Sequence, residues 1–269
     1  MFRKSWGDRP LLGRLSRFVA LLLLVWLPLA IPIYAWVEDA NLASILGTGI
    51  LYLEFLILLK LWGTRVYGRS QPFRAYGLGC SRRQVREFCG GVLGAVAAMA
   101  LLVLIQVSLG WMAWQDLPSL RILVEAMGVG LAVGFAEELL FRGWLWDELR
   151  RDYSQRKALI LNGVIFALLH FIKPPEEILR TAPQLLGLLL LGVILVQLTI
   201  RTQRRLGAAI GFHGGLVASY YLLTVGQMWQ PSPPYPVLLT GIDGNPLAGL
   251  LGLGMLLLIS VGFPRLASQ

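Results

Sequence analysis

Seven ionisable residues stand inside apolar stretches of this 269-residue chain: Glu54, Glu125, Glu137, Glu138, Arg142, His170 and His213. Charge is costly in such surroundings, so each is by default a candidate for function. The densest group runs from Gly134 to Arg142 and holds two adjacent carboxylates, Glu137 and Glu138, with one guanidinium. Glu138 and Arg142, four apart, share a helix face and can pair. Glu137 is turned about 100° from Glu138 and can point at a different element. Both histidines of the chain also lie in apolar runs. A glutamate with two histidines in a membrane cavity suits hydrolysis by two routes. In one, His170 and His213 hold a divalent ion such as zinc, which lowers the pKa of bound water. In the other, Glu137 acts as general base on water while a histidine stabilises the oxyanion or protonates the leaving group. The spacing does not choose between them, and the zincin pattern of two histidines four apart on one helix is absent. Glu54 and Glu125 stand alone and are expected to be protonated or hydrogen-bonded carboxyls.

The elements that hold these residues follow from composition. The chain is 56% hydrophobic and 14% charged, against about 25% charged in soluble domains, which excludes a water-soluble globule. Apolar segments near 16–37, 42–61, 88–112, 122–149, 157–172, 183–200, 206–225 and 247–263 approach the roughly 20 residues that cross a bilayer core. The fifth, sixth and eighth are short, so tilt is expected there. The prediction is an all-α, polytopic transmembrane bundle of about eight helices, one integral membrane domain over residues 1–269. The first apolar run is too long for a signal-peptide core and is expected to be a retained helix. Cys80 and Cys89, nine residues apart, match neither a redox pair nor a thiolate zinc site.

Charge supplies the orientation. Of the 24 Lys and Arg, 21 fall on one side of the alternating segments, from Arg3, Lys4 and Arg9 to Arg142, Arg150, Arg205 and Arg265, and only Arg121, Lys173 and Arg180 fall on the other. The positive-inside rule then predicts a multi-pass membrane protein with both termini cytoplasmic. Depth is consistent: Glu137 is 13 residues from Arg150 and His170 is 13 from Lys157, so both lie roughly 20 Å from the turn joining their helices. His213, 8 residues from Arg205, needs a tilt, or a break at Gly207 or Gly211, to come level. The basic run from Lys60 to Arg86 reads as a loop on anionic lipid rather than a nucleic-acid surface. The expected partners are membrane lipids and a membrane-associated protein or peptide, with no nucleic acid.

At these residues the sequence resembles the CAAX prenyl protease and bacteriocin-processing (Abi) family of intramembrane endopeptidases. Its EExxxR motif is matched by Glu137, Glu138 and Arg142, and its FxxxH motif by Phe166 and His170. Its third motif, a histidine followed four residues later by Asn or Asp, is met by His213 but not by Val217. The likeness spans residues 120–225, with residues 1–119 as additional amino-terminal transmembrane helices. It implies an endopeptidase acting on a membrane-associated, including prenylated CAAX-type, substrate, as a metalloprotease or a glutamate-type hydrolase. Glu137 would activate water, His170 and His213 would be catalytic or metal-binding, Glu138 and Arg142 architectural, and Phe166 would shape a helix contact. Substrate entry is expected from the bilayer or the cytoplasmic side, because the motif-bearing spans join at the arginine-rich turn. Val217 favours a competing expectation, a non-catalytic scaffold or bacteriocin-immunity-type protein that keeps the cluster as an interhelical polar network. A proton-coupled transporter ranks last, since no inverted repeat is evident.

Overall fold

A computed structural model describes residues 6–262, so Arg3, Lys4 and Arg265 of the basic set, and Phe263 at the end of the eighth segment, lie outside the described residues. In chain order the helices are α1 Leu11–Trp36, α2 Ala40–Arg65, the short α3 Pro72–Ala75, α4 Arg82–Ser108 and α5 Leu120–Glu138. A π-helical segment, Leu139–Leu145, links α5 to α6 Trp146–Asp152. There follow α7 Gln155–Leu169, the short α8 Pro175–Thr181, α9 Gln184–Arg201, α10 Gly207–Thr224, the short α11 Val237–Thr240 and α12 Leu250–Gly262. Two three-residue strands, β1 Met112–Trp114 and β2 Trp229–Pro231, pair antiparallel beyond the ends of α4 and α10.

All eight apolar segments fold as helices, and four of them, α1, α2, α4 and α9, are long and apolar enough to cross a membrane by length and composition. The other four fall short for physical reasons. α5 carries Arg121, Glu125, Glu137 and Glu138, and α10 is diluted by glycines, His213 and tyrosines. α7 and α12 have only 15 and 13 residues. Helix starts are set by side-chain caps at Asp39, Ser81, Ser119 and Ser154, each accepting the backbone N–H of the third residue of α2, α4, α5 or α7, an arrangement worth roughly 1 kcal/mol apiece.

α10 is the buried axis of the bundle, and every residue from Gly207 to Gly215 is buried. Small residues allow that position. A Cβ at Gly134 would come within 2.9 Å of the backbone of Gly214, and one at Gly211 within 2.1 Å of the Phe88 carbonyl oxygen. α5 and α4 therefore both pack on α10 at backbone contact, α5 against Gly214 and α4 against Gly211, as small-residue stripes allow in membranes. This contact brings a residue near the start of α10 up to the level of Glu137.

The arginine-rich end is tied by ion pairs centred on α6. Buried Glu148 accepts from Arg14 Nε (2.6 Å) and from the Tyr67 hydroxyl (2.6 Å). Burial and the adjacent carboxylate push the Tyr67 hydroxyl pKa up, which keeps it a donor. Asp147 accepts from Arg69 and Arg204, each at 2.6 Å. Glu87 holds Arg205 at 2.6 Å. One acidic turn thus ties α1, the loop after α2 and the loop before α10 to the motif-bearing helices. Arg142 departs from the sequence expectation: counted with the arginine-rich side, it is instead buried in the core, 1% exposed.

Candidate active site

The site forms where α5 passes into the π segment and meets the end of α7 and the first half of α10. Glu138 and Arg142 are both fully buried, and Arg142 Nη1 donates to Glu138 Oε1 at 2.9 Å. Arg142 Nη2 donates to the Gly192 carbonyl at 3.3 Å, fixing α9 to the same point. His213 Nδ1–H donates to the same Glu138 oxygen at 2.8 Å. Glu138 therefore joins α5, the π segment and α10.

Phe166 occupies the centre. Its ring stands edge-on to Phe141 with centroids 5.0 Å apart, lies 4.3 Å from the Arg142 guanidinium carbon, and contacts the His170 ring at 4.6 Å. The guanidinium over a desolvated ring adds a cation–π attraction of about 2 kcal/mol. The Phe166 carbonyl accepts from His170 Nδ1–H at 2.8 Å. A carbonyl only accepts, so the proton of neutral His170 sits on Nδ1 and its Nε2 lone pair is free. The Glu138 carboxylate fixes His213 in the same sense.

Both free nitrogens face Glu137. His170 Nε2 is 3.7 Å from Glu137 Oε2, and His213 Nε2 is 3.9 Å from the same oxygen. That oxygen is buried without a hydrogen-bond partner. Three acceptors converge on one point, and such a point calls for a donor between them, since an unmet buried acceptor costs about 1–3 kcal/mol. A water molecule, with two hydrogens to give, meets the requirement.

The donor set also resembles that of a zinc site with each imidazole anchored from behind. In tetrahedral zinc sites with bonds of 2.0–2.1 Å, ligand atoms stand roughly 3.4 Å apart, closer than the 3.7 and 3.9 Å found here. Among the described residues no group of three or more His, Cys, Asp or Glu is arranged to hold a metal ion.

The three groups line a cavity of about 260 Å³, otherwise walled mainly by apolar side chains such as Leu188, Leu191, Leu216 and Met255, with Gln184, Tyr220 and Asn245 as further polar members. Val217 is part of that wall, so no polar side chain stands at this position of the third motif. The wall extends beyond residues 120–225, taking Met99 from α4 and Asn245–Leu247 and α12 from the carboxy-terminal side. Glu54 and Glu125 are not in it. Glu125 is held by Arg121 at 2.7 Å and the Tyr221 hydroxyl at 3.2 Å, and both Glu54 oxygens are buried without a partner. Cys80 and Cys89 are free and exposed.

Asn162 was missed by sequence. It is fully buried on α7, and its amide donates to the Phe141 carbonyl at 2.7 Å. Phe141 lies within the π segment, whose widened turn disturbs the regular backbone ladder. The single signal was an amide in an apolar helix one turn before Phe166.

Residues 118–219 match the family model described as Rce1-like, type II CAAX prenyl endopeptidase. No curated protein and no solved structure matches the chain.

Proposed function

We propose that this membrane protein, whose residues 118–219 match the family model described as Rce1-like, type II CAAX prenyl endopeptidase, is an intramembrane endopeptidase that hydrolyses a peptide bond of a membrane-associated protein. The observation that carries the reading is the convergence of Glu137 Oε2 with two anchored imidazoles, at 3.7 and 3.9 Å, inside a largely apolar cavity. A water held there donates one hydrogen to Glu137 and one to an imidazole Nε2. Glu137 takes a proton as the water oxygen attacks the scissile carbonyl carbon, and the negative charge moves to the carbonyl oxygen. His213, neutral with a free Nε2 in the resting site, takes a proton from solvent on that nitrogen as substrate binds and donates Nε2–H to that oxyanion, keeping the proton as the intermediate collapses. His213 suits this role because the Glu138 carboxylate behind it matches the positive charge it carries, while His170 orients the water. Collapse of the intermediate breaks the C–N bond, and the proton on Glu137 passes to the leaving amine. General acid–base assistance of this kind is worth about 10²–10⁴ in rate. The steps are written for water activated by Glu137, and none is routed through a metal.

The test is cleavage of membrane-spanning and lipidated peptides by purified protein, wild type beside Glu137→Gln. Products with wild type and none with the variant support the reading. Equal cleavage by both overturns it, and absence of cleavage by either, across lipidated and plain substrates, favours the polar-network scaffold.

A further inference from the structure

The helices around the cavity share a polarity that sets which end of the bundle the site faces. α7 leaves the arginine-rich turn and reaches His170 only at its far end. α10 begins just after Arg205, and its cavity residues run from His213 away from that end to Tyr220. α9 approaches in the opposite sense and lends its beginning, Gln184 to Leu191, with Arg201 at its close. Every cavity wall thus extends from the catalytic groups toward the arginine-poor end, where Lys173, Arg180, β1, β2 and the proline-rich loop lie. At the other end the ion pairs of α6 and the buried start of α10 close the bundle. This differs from the cytoplasmic half of the expectation that substrate enters from the bilayer or the cytoplasmic side.

Two further cavities adjoin the catalytic one. A second, of about 320 Å³, shares Met99 and Pro246 with it and lies further out. Its lining is markedly more polar, with Gln106, Gln227, Gln230, Tyr235 and Asp243. The Tyr235 hydroxyl is buried there without a partner. The third, of about 330 Å³, is a lateral groove between α4 and α10 that also shares Met99 but is lined almost wholly by apolar side chains. The one charged side chain of this lining, Asp243, is paired with Arg180, and the amides and the phenol are donors and acceptors of the kind that meet an uncharged peptide backbone. No Lys or Arg lines the polar cavity, so it does not present the basic side chains that a phosphate headgroup calls for.

We propose that this outer polar cavity is the entry vestibule of the site, and that it receives an extended, uncharged polypeptide segment from the arginine-poor face and delivers it past Met99 to Glu137. The identity of the occupant as substrate rests on the endopeptidase reading; the face of entry does not. In a peptide so bound, residues beside the scissile bond are apolar and those in the vestibule are polar.

Access can be read without activity. Cys80, exposed between α3 and α4 among the arginines, marks one face. In a Cys89→Ser background, Val217→Cys places a second thiol in the catalytic cavity. The protein is reconstituted in sealed vesicles in both orientations and treated from outside with a membrane-impermeant maleimide, and the labels on each molecule are counted by intact mass. The expected result is mutually exclusive labelling, at position 80 or at position 217 but never both. Molecules carrying both labels, or a thiol at 217 that no molecule labels while position 80 reacts, overturn the proposal. Filling the vestibule with Gln230→Trp should slow labelling at 217 at least tenfold, and Ala100→Trp in the lateral groove should not. The opposite pattern would assign entry to the lipid side and refute the vestibule. Exclusive labelling together with no cleavage of any peptide leaves the entry face standing and removes the endopeptidase reading.

Discussion

Adjacent glutamates with opposite assignments make the sharpest prediction. Glu137 Oε2 has no hydrogen-bond partner and its side chain is 28% exposed, so Glu137→Gln removes a charge on which little packing depends. Its effect on stability is expected within about 0.5 kcal/mol. Its effect on cleavage is a loss of about 10²–10⁴-fold, equivalent to roughly 3–5 kcal/mol of barrier. Glu138 is fully buried and holds both Arg142 and His213 through one oxygen. Glu138→Gln keeps the shape and leaves the guanidinium without its counter-charge. Removing one partner of a buried pair costs about 3–5 kcal/mol, so this loss appears in folding rather than only in the barrier. Both proteins are purified in detergent and compared with wild type by thermal unfolding and by peptide cleavage per folded molecule. Glu137→Gln should unfold with wild type and fail to cleave, while Glu138→Gln should unfold well below it. A Glu138→Gln protein as stable as wild type, or a Glu137→Gln protein that cleaves normally, refutes the division of roles.

Three more perturbations probe the supports. Asn162→Leu strips the Phe141 carbonyl of its donor and should cost about 1–3 kcal/mol, with kcat falling more than KM because the π segment that presents Glu138 and Arg142 relaxes. Gly134→Val sets a side chain against the Gly214 backbone, where even a Cβ would come within 2.9 Å; it should part α5 from α10 and abolish cleavage while the protein remains membrane-inserted, and an active Gly134→Val enzyme would show that the approach is not needed. Chelation by EDTA or phenanthroline should leave cleavage intact, and loss that zinc restores would replace the glutamate route with a metal one.

The Glu–His–Arg cluster was legible because polar residues are conspicuous in apolar helices. Glu138 and Arg142 fall on one helix face by spacing alone, and the equal heights of Glu137 and His170 follow from counting residues up from the shared turn. His213 was placed too low by the same count, since residue number says nothing about how closely helices approach. The glycines that bring α10 to α5 and α4 are plain in the sequence, yet which backbone each one faces is a property of the packed bundle. Asn162 stayed hidden because the carbonyl it serves belongs to a π segment that no residue pattern announced. The ion pairs of Asp147 and Glu148 were hidden for another reason: their partners Arg14, Arg69 and Arg204 come from distant parts of the chain. Composition predicted about eight transmembrane helices; four of the described helices are long and apolar enough to cross a membrane, while 15- and 13-residue helices such as α7 and α12 are too short to be called crossings on length.

Val217 bears on how the remaining groups must work. With an apolar side chain at that position of the cavity wall, charge arising on the scissile carbonyl has the imidazoles as its nearest donors among the motif residues. Both Nδ1 atoms are already committed, one to the Phe166 carbonyl and one to Glu138, so each ring offers only Nε2 to the reacting atoms. An Nε2–H donor that also keeps Nδ1–H is an imidazolium, and a cation in an apolar cavity needs a counter-charge close by. The Glu138 oxygen 2.8 Å from His213 Nδ1 supplies it. Arg142 in turn balances Glu138 when His213 is neutral. A fully buried carboxylate–guanidinium pair next to a histidine thus keeps the site near electroneutrality in one state of the cycle and leaves it singly charged in the other. An apolar replacement for the pair would remove the counter-charge that a protonated His213 requires.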